Sequence, residues 1–255
     1  MLTAPLLSPA DPAPVERIDG RSGWVISVEH AGHAVPERLA GLGIARAALM
    51  DHIGWDPGAA AVARRLRERL EATLLLQPYS RLVIDCNRPE GAPDLVAEVS
   101  DGVVVPANAG LDAAARAERW VAIHQPYHAA LAGALAAAEA GPGLAGFLSV
   151  HSFTRQRAAD AAPRPWPVGL LWRQDNPLAR HLADRLGRIA EARPLGINEP
   201  YSIGQLHDYT LPMQAEPTRR PHVLIELRND LIATPEAAAA WADRLAGALA
   251  DFPAP

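Results

Sequence analysis

Histidines and acidic residues stand at or beside the ends of several short apolar runs in this sequence. His30 follows the run GWVISVE, His151 follows GFLSV, and Glu226 lies inside HVLIEL. Side chains beyond the carboxyl ends of sheet strands are held by a rigid scaffold, and ligands of α/β proteins gather there. Two histidines and an acid at such positions are what a catalytic metal site requires, because catalytic zinc takes three such ligands and lowers the pKa of water to about 7. The pattern therefore favours metal-assisted hydrolysis.

Each of these residues also has a plainer interpretation. Either histidine could be a hydrogen-bonded loop residue, and Asp56, which precedes Pro57, could simply cap a helix. Glu226 could lie on a solvated face of its strand. A carboxylate near a buried sheet needs a partner, however, and either Arg228 or water at a metal ion could supply one. The residues alone leave these interpretations open.

Other catalytic motifs are missing or incomplete. His124 and His128 are four residues apart on a predicted helix, but Pro126 lies between them and the Glu of an HExxH motif is absent, so we do not expect a metal site there. The sequence has no G-x-S-x-G and no G-x-G-x-x-G, and Ser152 directly beside His151 has the wrong geometry for a nucleophile and its base. All 24 basic residues are arginine, which excludes a P-loop lysine and a Schiff-base lysine.

The elements that must position these residues alternate along the chain. Runs rich in Val, Ile and Leu predict strands covered on both faces at residues 23–29, 81–85, 146–150, 168–172 and 222–227. A capping residue before a proline predicts a helix start at Asp56-Pro57, Asn176-Pro177 and Thr234-Pro235. Residues 111–140 predict a longer helix with a kink near Pro126. Helices between buried strands predict a three-layer α/β/α sandwich.

Length and composition predict one soluble domain. The 255 residues can bury a single core, so we expect a flexible Pro/Ala-rich lead-in at residues 1–20 and one domain at residues 21–255. A net charge of -5 without a basic patch argues against a nucleic-acid partner. No run approaches about 18 apolar residues, so no membrane helix is expected. Cys86 is the only cysteine, which favours a cytoplasmic protein without an intramolecular disulfide.

Three irregular segments rich in proline, glycine and polar residues lie between the predicted elements, at residues 89–109, 154–167 and 191–220. Loops of this length in a compact domain are usually functional or mobile. We therefore expect them to contribute to a binding site or to move.

Beyond these patterns, a series of sequence blocks resembles a known family. In chain order the blocks are EHAGHAVPERL, HIGWDPGA, SRLVIDCNRP, RWVAIHQPYH, FLSVHSFT, RPWPVGLLW, NEPYS and VLIELRNDLI. Together, from about residue 24 to residue 232, they resemble the N-formylglutamate amidohydrolases. That family is similar in fold to the zinc carboxypeptidases and aspartoacylases. The resemblance therefore implies a phosphorylase/hydrolase-like α/β/α sandwich with a mixed central sheet.

The resemblance also implies a metal centre. It implies that His30, Asp56 and His151 bind one divalent metal ion, for which zinc is expected although other divalent ions suit these ligands. Glu29 is the alternative third ligand. His33 departs from the family pattern, which has a small polar residue at this position, so it could alter the metal shell or contact substrate.

The remaining implied roles concern catalysis and substrate. Glu226 matches the general base, and the residues implied to bind substrate carboxylates are Arg81, Asn87, Arg88 and Arg228, since the planar guanidinium suits that task. We expect N-formyl-L-glutamate, hydrolysed to formate and L-glutamate, to be the leading substrate. An amidase or carboxypeptidase acting on another N-acyl amino acid or small peptide, or a non-catalytic carboxylate-binding protein, is the alternative. The expected assembly is a monomer or a small homo-oligomer.

Overall fold

A seven-stranded sheet forms the centre of the protein. The computed structural model describes residues 5–204 and 208–253; residues 1–4 of the predicted lead-in, residues 205–207 of the third predicted loop and residues 254–255 lie outside the described residues. The described strands are β1 Glu16–Ile18, β2 Trp24–Val28, β3 Thr73–Leu76, β4 Val99–Ser100, β5 Val103–Val104, β6 Gly146–Phe153, β7 Val168–Leu171, β8 Leu195–Ile197 and β9 His222–Arg228. The sheet order is β1-β3-β2-β6-β9-β7-β8, and β4 and β5 form a separate hairpin.

The central sheet is mixed. Strands β3, β2, β6 and β9 run parallel to one another, whereas β1 is antiparallel to β3 and β7 is antiparallel to β9. All residues of β6 and all but the last of β9 are buried, as expected for strands covered on both faces. The strands predicted at residues 23–29, 146–150, 168–172 and 222–227 are confirmed.

Helices cover both faces of the sheet. The described α-helices are α1 Arg46–Leu49, α2 Ala59–Leu70, α3 Ala113–Arg119, α4 Gln125–Ala140, α5 Pro177–Leu186, α6 Thr210–Gln214 and α7 Pro235–Leu249. Helices α2, α5 and α7 bury apolar side chains such as Val62, Leu182 and Trp241 in one core cluster, and α4 buries Leu131 and Leu135 in a second. The predicted three-layer α/β/α sandwich is therefore confirmed. Within the described ranges, no helix combines the length and apolar character needed to cross a membrane.

Two of the three predicted helix caps are confirmed. The Asn176 side chain accepts hydrogen bonds from the backbone N–H groups at the start of α5, and Thr234 does the same at α7. Asp56 does not cap α2, because that helix begins at Ala59 after Gly58. Gly58 has φ of +85°, and a Cβ there would lie 2.5 Å from the Ile232 carbonyl oxygen, so the turn requires glycine. This turn separates Asp56 from the helix and leaves its carboxylate free for other partners.

The strand predicted at residues 81–85 is wrong. These residues form turns, in which the Val83 N–H donates to Ser80 and the Asp85 N–H donates to Leu95. Their apolar side chains are nevertheless buried in the second core cluster. A short buried apolar run does not distinguish a strand from a compact turn. The neighbouring strand of the sheet is instead β3, which immediately follows α2 and pairs with β2.

The long helix predicted at residues 111–140 is divided by a π-helical turn. Helix α3 leads into a π-helical segment at Trp120–His124, and α4 follows with Pro126 in its first turn. The Gln125 N–H donates to the Trp120 carbonyl, five residues back. Pro126 has no N–H and would interrupt a continuous α-helix, so the irregularity lies directly before the predicted kink.

Part of the predicted lead-in contributes to the sheet. Glu16–Ile18 pairs with β3 as an antiparallel edge strand, and Leu6 is buried in the second core cluster. The Tyr79 hydroxyl donates to the carbonyl oxygen of Pro12 at 2.5 Å. Residues from the lead-in therefore pack against the domain at several points.

Candidate metal centre and active site

A cavity of about 600 Å³ opens at the carboxyl ends of the parallel strands. His30 lies just beyond β2, His151 lies in β6, and Glu226 lies in β9. In the register of the parallel pair β6 and β9, His151 is the partner of Glu226, which places their side chains next to each other on one face. All three side chains line the cavity. Strand register thus brings together residues that are far apart in sequence.

His30, Asp56 and His151 form a buried group that could hold a metal ion. One ligand atom from each lies within 4.8 Å of the others. The Nδ1 atoms of His30 and His151 lie 3.3 Å and 2.8 Å from Asp56 Oδ2. Burial alone would raise the pKa of the Asp56 carboxyl, but the charge of His30 and the hydrogen bond of His151 lower it below its ordinary value. Asp56 is therefore an ionised oxygen donor placed between two imidazoles.

A second set of carboxylates holds the other nitrogen of each histidine. His30 Nε2 lies 2.7 Å from Asp85 Oδ1, and His151 Nε2 lies 2.9 Å from Glu29 Oε2. A carboxylate at Nε2 orients the ring and holds a proton there, so Nδ1 is the ring nitrogen that could bind a metal ion in place of its own proton. Glu29 therefore contacts the wrong ring nitrogen of His151 to share a metal ion with Asp56, and the geometry favours Asp56 as the third ligand.

Glu29 and Asp85 are ionised despite being buried. Burial disfavours the charged form of Glu29, but hydrogen bonds from His151, Ser27 and Ser149 lower its pKa to about 2. Burial likewise opposes ionisation of Asp85, but the positive charge of Arg81 lowers its pKa well below the ordinary value. The role of Asp85 was not anticipated from the sequence. Its only signal was its position at the end of an apolar run.

Glu226 differs from the other buried carboxylates. Its Oε2 atom is buried and has no hydrogen-bond partner among the described residues. Burial raises the pKa of Glu226, and the nearby charge of Asp56 raises it further, to about 7, although His151 and Arg81 act in the opposite direction. A carboxylate that changes protonation near neutral pH and has an unused oxygen is suited to proton transfer.

The predicted substrate-binding residues are not all brought together. Arg81, Asn87 and Arg88 line the cavity. Arg81 donates to Asp85 Oδ2 at 2.6 Å and lies 3.6 Å from Asp56, whereas Arg88 pairs with Asp94 at 2.7 Å. The Asn87 side chain donates to Asp208 and accepts from the backbone N–H of Thr210. 

Arg228 is placed elsewhere. It is not among the described residues that line the cavity, and its Nε donates to Asp230 at 2.8 Å. It is therefore the one of the four predicted carboxylate-binding residues that does not line the cavity.

The mouth of the cavity contains residues that sequence reasoning missed. Asp101 accepts from His52 Nε2 at 3.0 Å and from the backbone N–H of Ala158 at 3.1 Å, and it lies 3.7 Å from Arg157. These contacts join three separate segments of the chain, which carry His52, Asp101, and Arg157 with Ala158. Two of the segments belong to the long loops at residues 89–109 and 154–167, whose length was the only sequence signal.

The other histidines singled out in the sequence lie outside the group formed by His30, Asp56 and His151. The His33 ring packs 5.0 Å from the Trp55 ring. His124 Nε2 lies 3.0 Å from the Arg88 carbonyl oxygen, and His128 Nε2 lies 2.7 Å from the Cys86 carbonyl oxygen. Both contacts are with the backbone of the segment that carries Asn87 and Arg88.

The fold is an α/β sandwich, and the cavity at its strand ends is lined by histidines, carboxylates and arginines. The sequence profile of the N-formylglutamate amidohydrolases matches residues 22–233, and the chain belongs to this family. The resemblance of the sequence blocks is thereby confirmed.

Two solved structures extend the comparison. The gene product Atu2144 from Agrobacterium tumefaciens is 31% identical and superposes with a TM-score of 0.91 over 97% of each chain. The N-formylglutamate amidohydrolase from Ralstonia eutropha is 20% identical, with a TM-score of 0.62 over 93% of this chain and 96% of that one, and this likeness shows a shared fold. A comparison with curated proteins found no significant match.

Proposed function

We propose that this protein is a metal-dependent amidohydrolase that acts as one domain in the cytoplasm on a small N-acyl amino acid, with N-formyl-L-glutamate as the leading substrate. The observation that carries the proposal is the buried group of His30, Asp56 and His151 beside the carboxylate of Glu226. Membership of the N-formylglutamate amidohydrolase family supports amide hydrolysis. Two imidazoles and one carboxylate are a donor set that suits zinc.

Three features of the group support a bound divalent ion. The Nδ1 atoms of both histidines face Asp56, and their Nε2 atoms are held by other carboxylates. The Oε2 atom of Glu226 is buried and has no partner among the described residues. When bound, the ion would supply a Lewis acid that polarises the amide carbonyl and lowers the pKa of water.

Glu226 is the general base of the proposed reaction. Its carboxylate would take a proton from the attacking water as the water oxygen bonds to the acyl carbon. It would then return this proton to the nitrogen as the C–N bond breaks, so that a carboxylic acid and an amine leave. A general base works best when its pKa lies near the operating pH, and burial raises the pKa of Glu226 to about 7.

Two arginines would bind different parts of the substrate. Arg81 lines the cavity next to Asp56 and Asp85, and its guanidinium would stabilise negative charge that develops on the carbonyl oxygen. Arg88 lines the cavity beside Asn87 without contacting the metal group, and this pair would bind a substrate carboxylate. Arg228 has no role in the proposal because it is not among the described residues that line the cavity.

The metal content of the purified protein tests the proposal. We expect about one divalent ion per chain in the wild type and its loss in His151→Ala, since three protein ligands are the usual minimum. His222→Ala is the matched control, because His222 is also buried on a central strand but hydrogen-bonds the Arg220 carbonyl. This control should keep the ion. A wild type that takes up no ion, even after incubation with zinc, would contradict the proposal.

A substrate panel then tests the reaction. Formate release from N-formyl-L-glutamate, measured beside other N-formyl and N-acetyl amino acids, should identify the acyl group and the amino acid that the cavity accepts. Hydrolysis of another N-acyl amino acid or of a dipeptide with no activity on N-formyl-L-glutamate would replace the leading substrate. A metal-loaded protein that hydrolyses none of them would favour a non-catalytic binding protein.

A further inference from the structure

Two consecutive residues of α4, Tyr127 and His128, contact the Glu29 carboxylate and the Cys86 carbonyl behind the His30, Asp56 and His151 group, although neither lines the cavity. Both side chains are almost completely buried, with exposures of 0% and 5%. Tyr127 is connected to His151 by a chain of hydrogen bonds, and His128 is connected to His30 by another. Because consecutive residues of a helix point about 100° apart, one helix can reach two separate acceptors in this way.

The first hydrogen-bond chain begins at Tyr127. Its hydroxyl donates to Glu29 Oε1 at 3.2 Å, and the other oxygen of Glu29 lies 2.9 Å from His151 Nε2. Burial and the charge of Glu29 raise the pKa of Tyr127 well above its ordinary value, so the hydroxyl keeps its proton and remains a donor. Tyr127 therefore limits the positions that the Glu29 carboxylate can take beneath His151.

The second chain begins at His128 and passes through one peptide group. His128 Nε2 donates to the Cys86 carbonyl oxygen at 2.7 Å. The N–H of the same peptide group, which belongs to Asn87, donates to Asp85 Oδ1 at 2.9 Å. That oxygen also accepts from His30 Nε2 at 2.7 Å. His124, one helical turn before His128, contacts the carbonyl oxygen of Arg88, two residues after Cys86.

We propose that Tyr127 and His128 are positioning residues that set the orientation of His151 and His30 and thereby the affinity for the metal ion. The inference rests on the proposed function, in that it takes His30, Asp56 and His151 as the metal ligands. It follows from the contacts because each residue is the far end of a continuous hydrogen-bond chain that ends on one ligand. Partners of this kind tune ligand orientation and basicity.

The dissociation constant for zinc, measured by competition with a chromophoric chelator, tests the proposal directly. Tyr127→Phe keeps the ring and removes the hydroxyl, and we expect zinc to bind about 10-fold more weakly, at the lower end of the effect of losing an outer-shell partner. In this variant kcat should fall while KM stays close to the wild-type value, because no cavity-lining side chain is changed. His128→Leu should weaken zinc binding by a similar factor of about 10.

Two further variants separate positioning from general loss of packing. His128→Gln retains an N–H that can donate to the Cys86 carbonyl, so it should keep most of the affinity that His128→Leu loses. Tyr79→Phe and His222→Leu are the matched controls, since each removes one hydrogen bond from a buried side chain to a backbone carbonyl elsewhere in the protein. Both controls should bind zinc with the wild-type dissociation constant.

Three results would overturn the proposal. The first is wild-type zinc affinity in folded Tyr127→Phe and His128→Leu, with loss only in variants whose thermal unfolding shows a damaged fold. The second is equal loss in the controls, and the third is a wild type that binds no zinc. If the wild type binds zinc but hydrolyses no N-acyl amino acid, the proposed function fails while the zinc affinities still decide the positioning role.

Discussion

The inner end and the mouth of the cavity contain different kinds of ion pair. At the inner end, the side chains of His30, His151, Asp56 and Asp85 are between 2% and 4% exposed and pair with one another over short distances. At the mouth, Arg88 pairs with Asp94, which is 45% exposed, and Arg157, which is 44% exposed, lies 3.7 Å from Asp101. The first set stands on strand ends and tight turns, and the second stands on loops.

This difference separates the parts of the site that tolerate change from those that do not. A buried charge without a partner is strongly unfavourable, so the inner residues depend on one another and on strand register. Exposed ion pairs contribute about 0–1 kcal/mol each, so residues at the mouth can be exchanged at little cost in stability. We infer that the inner end determines the reaction and that the mouth determines which substrate reaches it.

The arginines that line the cavity would also restrict the charge of a substrate. Each described arginine that lines the cavity lies within 4 Å of an acidic residue: Arg81 near Asp85, Arg88 near Asp94, and Arg157 near Asp101. A substrate carboxylate must therefore compete with an aspartate for its arginine. A substrate with two carboxylates must do so twice, which makes the comparison of N-formyl-L-glutamate with N-formyl-L-glutamine informative within the substrate panel.

The largest effect should follow from removing the proposed general base, Glu226, at the inner end. Glu226→Gln preserves the shape of the side chain but cannot accept a proton, so we expect kcat to fall about 10²- to 10⁴-fold with unchanged metal content. Asp94→Asn makes the same chemical change at the mouth and should alter kcat only slightly. Steady-state kinetics with elemental analysis measures both. Near wild-type turnover in Glu226→Gln would show that another group accepts the proton.

A smaller effect, on binding, should follow from changing the mouth. Arg88→Ala removes a charged donor beside Asn87, and we expect KM to rise about 10- to 100-fold, as for the loss of a hydrogen bond to a charged group. Arg228→Ala is the control, because that arginine binds Asp230 instead of lining the cavity. Its KM should be unchanged. Equal KM values for the two variants would remove Arg88 from substrate binding.

The smallest effect is a loss of folding stability in acid, and we expect it to come from the buried His124. Burial and the neighbouring His128 lower the pKa of His124 from its ordinary value of 6.5 to about 3. Between these values the unfolded chain binds a proton that the folded chain does not, so the free energy of unfolding falls as the pH drops below 6.5. The contribution of one such histidine amounts to about 2 kcal/mol at pH 5.

Urea denaturation at pH 7 and at pH 5 checks this expectation. His124→Gln keeps a donor for the Arg88 carbonyl and removes the titrating group, so its stability should depend less on pH than that of the wild type. If the free energy of unfolding of His124→Gln falls between pH 7 and pH 5 as much as that of the wild type, His124 does not cause the acid sensitivity. The buried His128 and His222, whose pKa values are also lowered by burial, would then be the better candidates.

The sequence was most informative where one local signal decides the structure. Asn176-Pro177 and Thr234-Pro235 predicted two helix starts correctly, because a cap and a fixed proline φ act within a few residues. The apolar runs that became β2, β6, β7 and β9 were also recognised. His30, His151 and Glu226 were recognised as site candidates because they stand at or near the ends of these runs.

The sequence was least informative where the structure depends on distant contacts. The run at residues 81–85 is as apolar as a strand but forms turns, since β3 rather than this run pairs with β2. Asp56 has the sequence signature of a helix cap, yet its carboxylate contacts two histidines from other elements. Asp85 and Glu29 gain their roles only after the turns and strand register bring them to an imidazole.

The π-helical turn at Trp120–His124 has a consequence for sequence length among relatives. Such a turn holds one residue more than an α-helical turn, and each residue of an α-helix accounts for about 100° of rotation. Arg119 before this turn binds the Val83 carbonyl and Asn108, and Tyr127 and His128 after it bind their own partners, so removal of one residue would rotate one set relative to the other. An alignment of relatives should therefore tolerate a one-residue gap here only where the partners of Arg119 have changed as well.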